Sequence, residues 1–378
     1  MKDKTSKNTE LYAYRSDWAI RIVKAIATTL GLIINKITLG AASRKPSPFL
    51  IWLTLFLVVD LVIIVTSVVQ GTFFPQVDQK RQLLEDSMGV VLFTLSPLIV
   101  ALIFRFYERL YPTFRMLGKR RVISGEPSQL EELITQIDKR CNSRLWAGIC
   151  SGVGLLAFGT WLWLLPLMGI REDGAFQSWG RDLPLVIKIY VNLWALMAWF
   201  ALLFFVYKAM VVLRAIQELS TNNKTATTGP RFSIDLHHPD GCAGLSTLSQ
   251  LWFNVTYVVV MVGIGVSVYI VKWQMWQNPL VWFEMIGYAF LGSFLFFLPF
   301  LRLHSLMKNY KEEEFEKYFC EWQRTKETGS GAKLQRWRKR YEEIKRLPTW
   351  PFNWGNSLRV WGIYLLVNIL IAILDRVL

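Results

Sequence analysis

The sequence predicts an all-α membrane protein: a polytopic bundle of seven spans with a short seventh, a cytosolic N-terminus and helical cytosolic extensions. Of the 378 residues, 53% are apolar, and the mean hydropathy is +0.30. The apolar residues form unbroken runs of the length that crosses a bilayer as a helix, about 18 residues or more. A third observation, the distribution of Lys and Arg, predicts the orientation.

The apolar runs define the spans in chain order. Six of them are long enough to cross a bilayer as helices. The predicted spans are residues 48–70, 88–106, 146–170, 184–213, 251–272, 281–303 and 360–374. The seventh run has a core of 15 residues, which rises only about 22 Å as a helix. We expect a tilted seventh span, and the alternative is an interfacial or re-entrant helix.

Positive charge is distributed unequally between the two sides of these spans. With the N-terminus in the cytosol, the cytosolic side, counted with the inner ends of the spans, holds 36 Lys and Arg residues, and the opposite side, counted with Lys272 at the end of span five, holds five. This asymmetry follows the positive-inside rule, and it explains the net charge of +15 without a nucleic-acid partner. The first run begins too late for a secretory signal peptide and is predicted to act as a signal-anchor. We expect an integral protein of a bacterial inner (plasma) membrane, with Cys320 on the cytosolic side.

The spans divide the chain into four regions: a cytosolic N-terminus (1–47), a six-span bundle (48–303) with helical cytosolic loops (107–145 and 214–250), a basic cytosolic helical hairpin (304–354) and a short C-terminal hydrophobic helix (355–378). Within the first region, residues 18–39 carry their cations on one stripe of a helix. This pattern predicts an amphipathic helix in the membrane interface, or else a helix docked against the bundle.

Two local signals organise the loop after span two. Pro112 interrupts helical spacing that continues from the span, and a proline inside a helix predicts a kink. Ser128 and Glu131 match a capping box, which predicts a helix that begins there and leads to span three.

Three of the charged residues inside predicted spans stand out, because a charge there costs about 2.5–3.5 kcal/mol and usually faces the bundle interior. They are Asp60 in span one, Lys188 in span four and Glu284 in span six. We predict that they belong to an ion pathway or vestibule. The alternative is a buried ion pair that holds the spans together.

The seventh segment carries its polar groups on one helical stripe. Tyr364, Asn368 and Asp375 follow Trp361 at spacings of three, four and seven residues. A polar stripe on a short helix can line a pore or seal an interface between subunits. We therefore add these three residues to the predicted pathway.

The histidines cluster on the predicted cytosolic side with carboxyl and thiol groups. Imidazole, carboxylate and thiolate are ligands of Zn²⁺ and similar metals. The candidate ligands are His237, His238, Asp240, Cys242 and His304. Their spacing matches no standard metal motif, and Pro239-Asp240-Gly241 is a turn signal. We favour a structured turn before span five, and we expect no other cofactor.

Two further patterns concern lipid and helix contacts. The basic run Arg336, Arg338, Lys339 and Arg340 is predicted to contact anionic headgroups of the cytosolic leaflet. Gly148 and Gly152 are predicted to let span three approach a neighbouring helix closely.

These observations favour a channel-like pore, homo-oligomeric and gated from its cytosolic helical layer. No nucleophile, paired-carboxylate or HExxH signature supports an enzyme, so we expect none. The first alternative is a secondary transporter with a site among spans one, four and six. It is motivated by a weak similarity between the starts of spans four and six, Pro184-Leu185-Val186 and Pro279-Leu280-Val281, since some transporters carry such repeats. The second alternative is a membrane scaffold or signalling module without permeation.

Overall fold

The computed structural model describes residues 48–70, 87–167, 185–225, 229–235, 238–272, 279–328, 331–347 and 349–351, together with Trp18, Arg21, Ile22 and Ala25. Its elements are α1 (Pro48–Val69), α2 (Ser87–Lys119), β1 (Ile123–Ser124), α3 (Pro127–Cys141), α4 (Arg144–Leu167), α5 (Leu185–Thr225), β2 (Arg231–Phe232), α6 (Ser246–Lys272), α7 (Pro279–Thr328) and α8 (Gly331–Arg346). The all-α fold is thus confirmed.

Three helices in the described ranges are long and apolar enough to cross a membrane. They are Trp52–Val69 within α1, Leu185–Thr221 within α5 and Ser246–Ser267 within α6. This finding supports a membrane protein. The predicted spans two, three and six lie within α2, α4 and α7, and the seventh lies outside the described residues. The total of seven spans and the orientation stay predictions.

The bundle is built around α2 and α6, which make the most extensive helix contact described. Helix α1 packs against α2, α4 packs against α5, and α7 lies beside α5 and α6. Aromatic side chains fill the centre: the ring of Phe106 lies 5.4 Å from that of Phe205, and the indole of Trp252 donates a hydrogen bond to the Leu295 carbonyl. Aromatic residues bury large apolar areas, which stabilises the contacts among four helices.

Several helices present large apolar side chains on their outer faces. Leu61 on α1, Leu156 on α4 and Phe290 on α7 are each more than half exposed. Such apolar surface is costly in water, and in a bilayer it faces lipid. The outward faces therefore agree with the membrane assignment.

Most of the described residues within 107–145, 214–250 and 304–351 form a connected assembly at one end of the bundle, which we call the polar layer. Arg140 on α3 pairs with Glu218 on α5 at 2.9 Å, and the Tyr310 hydroxyl on α7 donates to the Phe232 carbonyl. The two short strands pair antiparallel, Ile123 opposite Phe232. These strands are the one element type that the sequence did not predict.

Two long helices continue from predicted spans into the polar layer. Helix α2 runs through Pro97 and Pro112 as one helix, and α7 joins the predicted sixth span and the following polar helix without a break. The apolar parts of α2 and α7 are therefore connected to the polar layer by uninterrupted helices.

The start of α3 also differs from the predicted capping box. The helix begins at Pro127, and the backbone N–H of Glu126 donates to the Gln129 side chain at 3.1 Å. Proline at the first helical position has its φ fixed in the helical range and loses no hydrogen bond there. The helix therefore begins one residue before Ser128.

Candidate functional site

Asp60 lies on the buried side of α1, where the helix packs against α5. Only 3% of its surface is exposed, and the adjacent Val59 and Ile63 pack against Ile187 and Tyr190. Neither carboxyl oxygen of Asp60 has a hydrogen-bond partner among the described residues. A buried carboxylate without hydrogen bonds is strongly unfavourable, so this position requires a partner that the described side chains do not supply.

Three helices surround this position. The Tyr190 hydroxyl of α5 donates a hydrogen bond to the Val58 carbonyl of α1 at 2.9 Å. One turn further along α5, the Trp194 indole donates to the Ser96 hydroxyl of α2 at 2.7 Å. Asp60 and the buried Ser67 lie on one face of α1, seven residues apart, since seven residues make about two helical turns. The inner side of α1 therefore has a polar stripe next to α2 and α5.

The structure brings the backbone of Lys188 close to this site. Lys188 lies in the first turn of α5, between Ile187 and Tyr190, whose side chains pack on Val59 and Ile63. Glu284 lies in the first turns of α7. The side chains of Lys188 and Glu284, and all of Tyr364, Asn368 and Asp375, lie outside the described residues.

A second buried charge, Lys208, was not among the predicted site residues. Its side chain is completely buried, and the ammonium lies 4.4 Å from the centre of the Tyr107 ring and 5.8 Å from that of Phe204. Such cation–π contacts stabilise a desolvated cation by about 2 kcal/mol. Lys208 is near the end of predicted span four, with Phe204 one turn before it. A lysine inside an apolar run with an aromatic residue one turn before it was the sequence signal that could have identified this site.

The thiol of Cys141, at the end of α3, lies close enough to Lys208 for an electrostatic interaction. Burial raises the pKa of Cys141 to about 12, while Lys208 acts to lower it and Asp138 to raise it. The Cys141 thiol is thus protonated at neutral pH and is a poor nucleophile.

The predicted metal ligands have separate roles in the polar layer. Asp240 accepts hydrogen bonds from the backbone N–H groups of Cys242 and Gly244, both at 2.9 Å, and of Ser246 at 3.3 Å. His238 Nδ1 lies 3.0 Å from the Asp240 carboxylate. His237 lies outside the described residues. Within the ranges that the structure describes, no three His, Cys, Asp or Glu side chains form a group that could hold a metal ion.

Opposing effects act on the Asp240 carboxyl. Burial acts to raise its pKa, but the backbone N–H donors of Gly244 and Cys242 outweigh it and lower the pKa to about 2. The carboxylate therefore organises the turn before α6, as the turn signal around Asp240 indicates.

His304, the remaining candidate ligand, binds the segment after α8. Its Nδ1 lies 2.6 Å from the Thr349 carbonyl oxygen, and its ring stacks on Trp350 with 4.1 Å between centroids. The Ser249 hydroxyl of α6 donates to the Pro351 carbonyl. We call residues 349–351 the strap, because they connect α8 to α6 and α7.

The predicted lipid contacts lie on α8. Arg338 and Lys339 are exposed, and Arg338 lies 4.0 Å from Glu342 one turn later. Arg336 and Arg340 belong to the same helix, and their side chains lie outside the described residues. The exposed pair is accessible to headgroups, and the lipid contact itself stays a prediction.

Close helix contact along α4 lies at a different glycine from the two predicted, within the part of the chain that the structure describes. A Cβ placed on Gly148 or Gly152 meets nothing within 4 Å, whereas one on Gly154 would lie 2.7 Å from the Phe200 ring. Among the described residues, no helix approaches Gly148 or Gly152 closely, so the predicted contact is not made there. The tight contact is at Gly154, on the side of α4 that packs on α5.

Comparison with known proteins adds no assignment to this arrangement. No protein-family model, curated protein or solved structure matches the chain. The functional argument therefore depends on the residues themselves.

Proposed function

We propose that the protein is an ion-channel-like pore of a bacterial inner (plasma) membrane, homo-oligomeric and gated from the polar layer. The proposal includes seven spans, a cytosolic N-terminus and a cytosolic polar layer. The observation that carries it is Asp60: a carboxylate buried midway along an apolar helix, with no hydrogen-bond partner for either oxygen among the described residues.

The cost of that carboxylate is the main physical argument. An acidic side chain in the middle of a membrane helix costs about 2.5–3.5 kcal/mol on insertion scales. Water, a permeating cation or a counter-charge can offset this cost. Lys188 follows Ile187, which packs against Val59 and Ile63 of α1, and it is the counter-charge in this proposal. Together the two residues would form a charged step in a pathway between α1 and α5.

The long helices support gating from the polar layer. Helices α2, α5 and α7 run from apolar segments into that layer as single helices, and contacts such as Arg140 with Glu218 connect them there. A force applied to the layer would therefore reach the bundle through continuous helices. The strap precedes residues 355–378, so the same layer would also position the segment with Tyr364, Asn368 and Asp375.

Flux measurements on purified protein in liposomes test this proposal. We expect K⁺ efflux from wild-type proteoliposomes, and about a tenfold lower rate for Asp60→Asn, since one lost charge interaction of about 1.4 kcal/mol changes a rate or equilibrium tenfold. Asn368→Leu tests the seventh segment in the same way. Thr54→Val is the matched control, because Thr54 is also a buried polar residue of α1. Unchanged flux in both site variants would contradict the proposed pathway.

A secondary transporter is the second candidate, because Asp60 is enclosed by α1, α2 and α5 of one protomer rather than exposed on its outer surface. A transporter would show saturable flux coupled to a second ion, and it would keep this activity as a monomer. A channel would show uncoupled flux and a symmetric oligomer in detergent. Absence of flux in every wild-type preparation would favour the scaffold.

A further inference from the structure

Two arginines of α2 differ from the other arginines around them. Arg105 is half-buried and Arg109 is exposed, one helical turn apart. Further along the same helix, Arg115 pairs with Glu131 at 3.4 Å, and Arg140 on α3 pairs with Glu218. Among the residues that the structure describes, neither Arg105 nor Arg109 makes an ion pair, and the buried Nε of Arg105 has no hydrogen-bond acceptor.

The two guanidinium groups also act on each other. Arg109 is exposed as a whole, but the partial desolvation of its side chain and the neighbouring Arg105 both lower its pKa. Like charges four residues apart on a helix destabilise it. A buried donor without an acceptor adds a further penalty. An anion bound between the two side chains would remove both costs.

The arginines lie at the boundary between the apolar bundle and the polar layer. On the same turn of α2, Tyr107 contacts Lys208. The adjacent Tyr207 donates a hydrogen bond to the Arg140 carbonyl and stacks on Trp146. Trp146 belongs to the exposed apolar face of α4, which begins at Leu145. In the proposed topology, this boundary lies at the level of the lipid phosphates, directly outside the hydrocarbon core.

The surface of α2 next to the arginines is apolar. Leu98 and Leu102 are both partly exposed, and their spacing to Arg105 and Arg109, of four, three and four residues, places all four on one helix face. An acyl chain could lie along the two leucines while its phosphate meets the guanidinium groups. A soluble anion would use only the charged half of this surface.

We propose that Arg105 and Arg109 form a binding site for an anionic phosphate group, and that the phosphate belongs to a membrane lipid. Each guanidinium offers a planar pair of N–H donors that matches two phosphate oxygens. The anionic headgroup neutralises the two arginines, and its chains cover Leu98 and Leu102. This site is separate from the basic run of α8, and it does not depend on ion conduction.

Thermal unfolding of the full-length protein in detergent, with and without added lipid, tests the site. Phosphatidylglycerol raises the Tm of the wild-type protein, and phosphatidylcholine raises it less because its headgroup has no net charge. In Arg105→Gln/Arg109→Gln, the phosphatidylglycerol concentration needed for half of this shift rises at least about tenfold, the equivalent of about 1.4 kcal/mol. Without lipid, the double variant unfolds at the same temperature as wild type or higher, because the repulsion is gone.

Three controls make the result decisive. Arg115→Gln removes a paired arginine from the same helix and keeps the wild-type lipid response. Arg105→Lys/Arg109→Lys retains the charge without the planar donors and gives an intermediate response. Inorganic phosphate, added without lipid, gives no shift; a shift that depends on both arginines would instead assign the site to a soluble phosphate. An equal phosphatidylglycerol response in wild type and in the Gln variant would overturn the proposal.

Discussion

Asp240 shows how one carboxylate can organise a loop. Its oxygens accept three backbone N–H groups within six residues. The backbone around it adopts positive φ at Gly241, Ala243 and Gly244, a conformation that is strained for alanine. A Cβ on Gly244 would lie 2.5 Å from a Val122 methyl group. The carboxylate thus stabilises a tight turn that joins α6 to the end of α2.

Replacing this carboxylate should make stability less dependent on acid pH. The pKa of Asp240 in the folded protein is about 2, below the usual value near 4, so the stabilisation is complete above about pH 4 and is lost as the pH falls through about 2. We expect Asp240→Asn to be about 1–2 kcal/mol less stable than wild type at pH 5. The difference should narrow steadily toward pH 2.

Thermal unfolding in detergent between pH 5 and pH 2 measures this difference. Asp235→Asn, an exposed carboxylate of the same loop, is the matched control and should stay close to wild type throughout. A difference between Asp240→Asn and wild type that is the same at pH 2 and pH 5 would refute the assignment.

For single residues, the sequence predicted which positions are unusual better than it predicted which side chains they contact. Asp60 was predictable as a buried group, because a carboxylate in an apolar run must face inward. Lys208 was not, because its burial depends on Tyr107, a residue about 100 positions away in another helix. The metal hypothesis grouped His304 with Asp240, whereas His304 in fact binds the strap, a contact that needs tertiary structure.

The α7–α8 hairpin illustrates how an element is fixed by a few contacts. Phe315 of α7 contacts the Tyr341 ring at 5.2 Å. At the other end, the Lys311 ammonium donates to the carbonyls of Lys345 at 2.8 Å and Leu347 at 3.0 Å. The last carbonyls of a helix lack intrahelical partners, and a cation there is also favoured by the helix dipole. Lys311 therefore caps α8 from a neighbouring helix.

Removing this cap should loosen α8 without unfolding the protein. We expect Lys311→Met to lose about 1.5 kcal/mol of local stability, the low end of the range for charged hydrogen bonds. Amide hydrogen exchange in residues 331–347 would then be roughly tenfold faster, while exchange in α6 stays unchanged.

Lys308→Met is the matched control for this experiment. Lys308 lies one turn earlier on α7 and pairs with Glu312 at 3.6 Å on the exposed surface, where such pairs contribute little. Equal exchange rates in both variants would show that Lys311 does not cap α8.

Element positions were predictable to within a few residues, and so was the helical extension of span two. Apolar runs identified α1, α4 and α5, whose composition alone favours helices. Pro112 is predicted to kink the helix that continues from span two, and α2 runs through it as one helix; the rule for proline considers the local helix and ignores its packing. There Tyr111, Thr113 and Phe114 are buried on both sides of the proline, and that packing stabilises the helix.

Cysteine labelling can report the orientation of the whole molecule in the membrane. Cys141, Cys150 and Cys242 are buried, and Cys320 on α7 is exposed. If the polar layer is cytosolic, a membrane-impermeant maleimide should label the protein in inside-out vesicles and leave it unlabelled in intact cells. Cys320→Ser should abolish the labelling. Labelling of Cys320 in intact cells would reverse the proposed topology.

The arrangement of the helices in the whole molecule was only partly predictable from the sequence. Hydropathy predicted a membrane bundle and charge predicted its sides, since both depend on composition along the chain. The central pairing of α2 with α6 brings together segments more than 100 residues apart, and no local pattern encodes that pairing. The same holds for the two strands, which join the loops after α2 and after α5.

The length of α7 has a mechanical consequence. Between His304 and Thr328 the helix extends about 36 Å, at 1.5 Å per residue. A tilt of about 5° near His304 would therefore move Thr328 sideways by about 3 Å. Because Lys311 binds the C-terminal end of α8 to α7, α8 would move together with α7. A ligand that binds the hairpin near Thr328 acts far from the buried part of α7. A small force there would therefore be enough to hold that buried part in place.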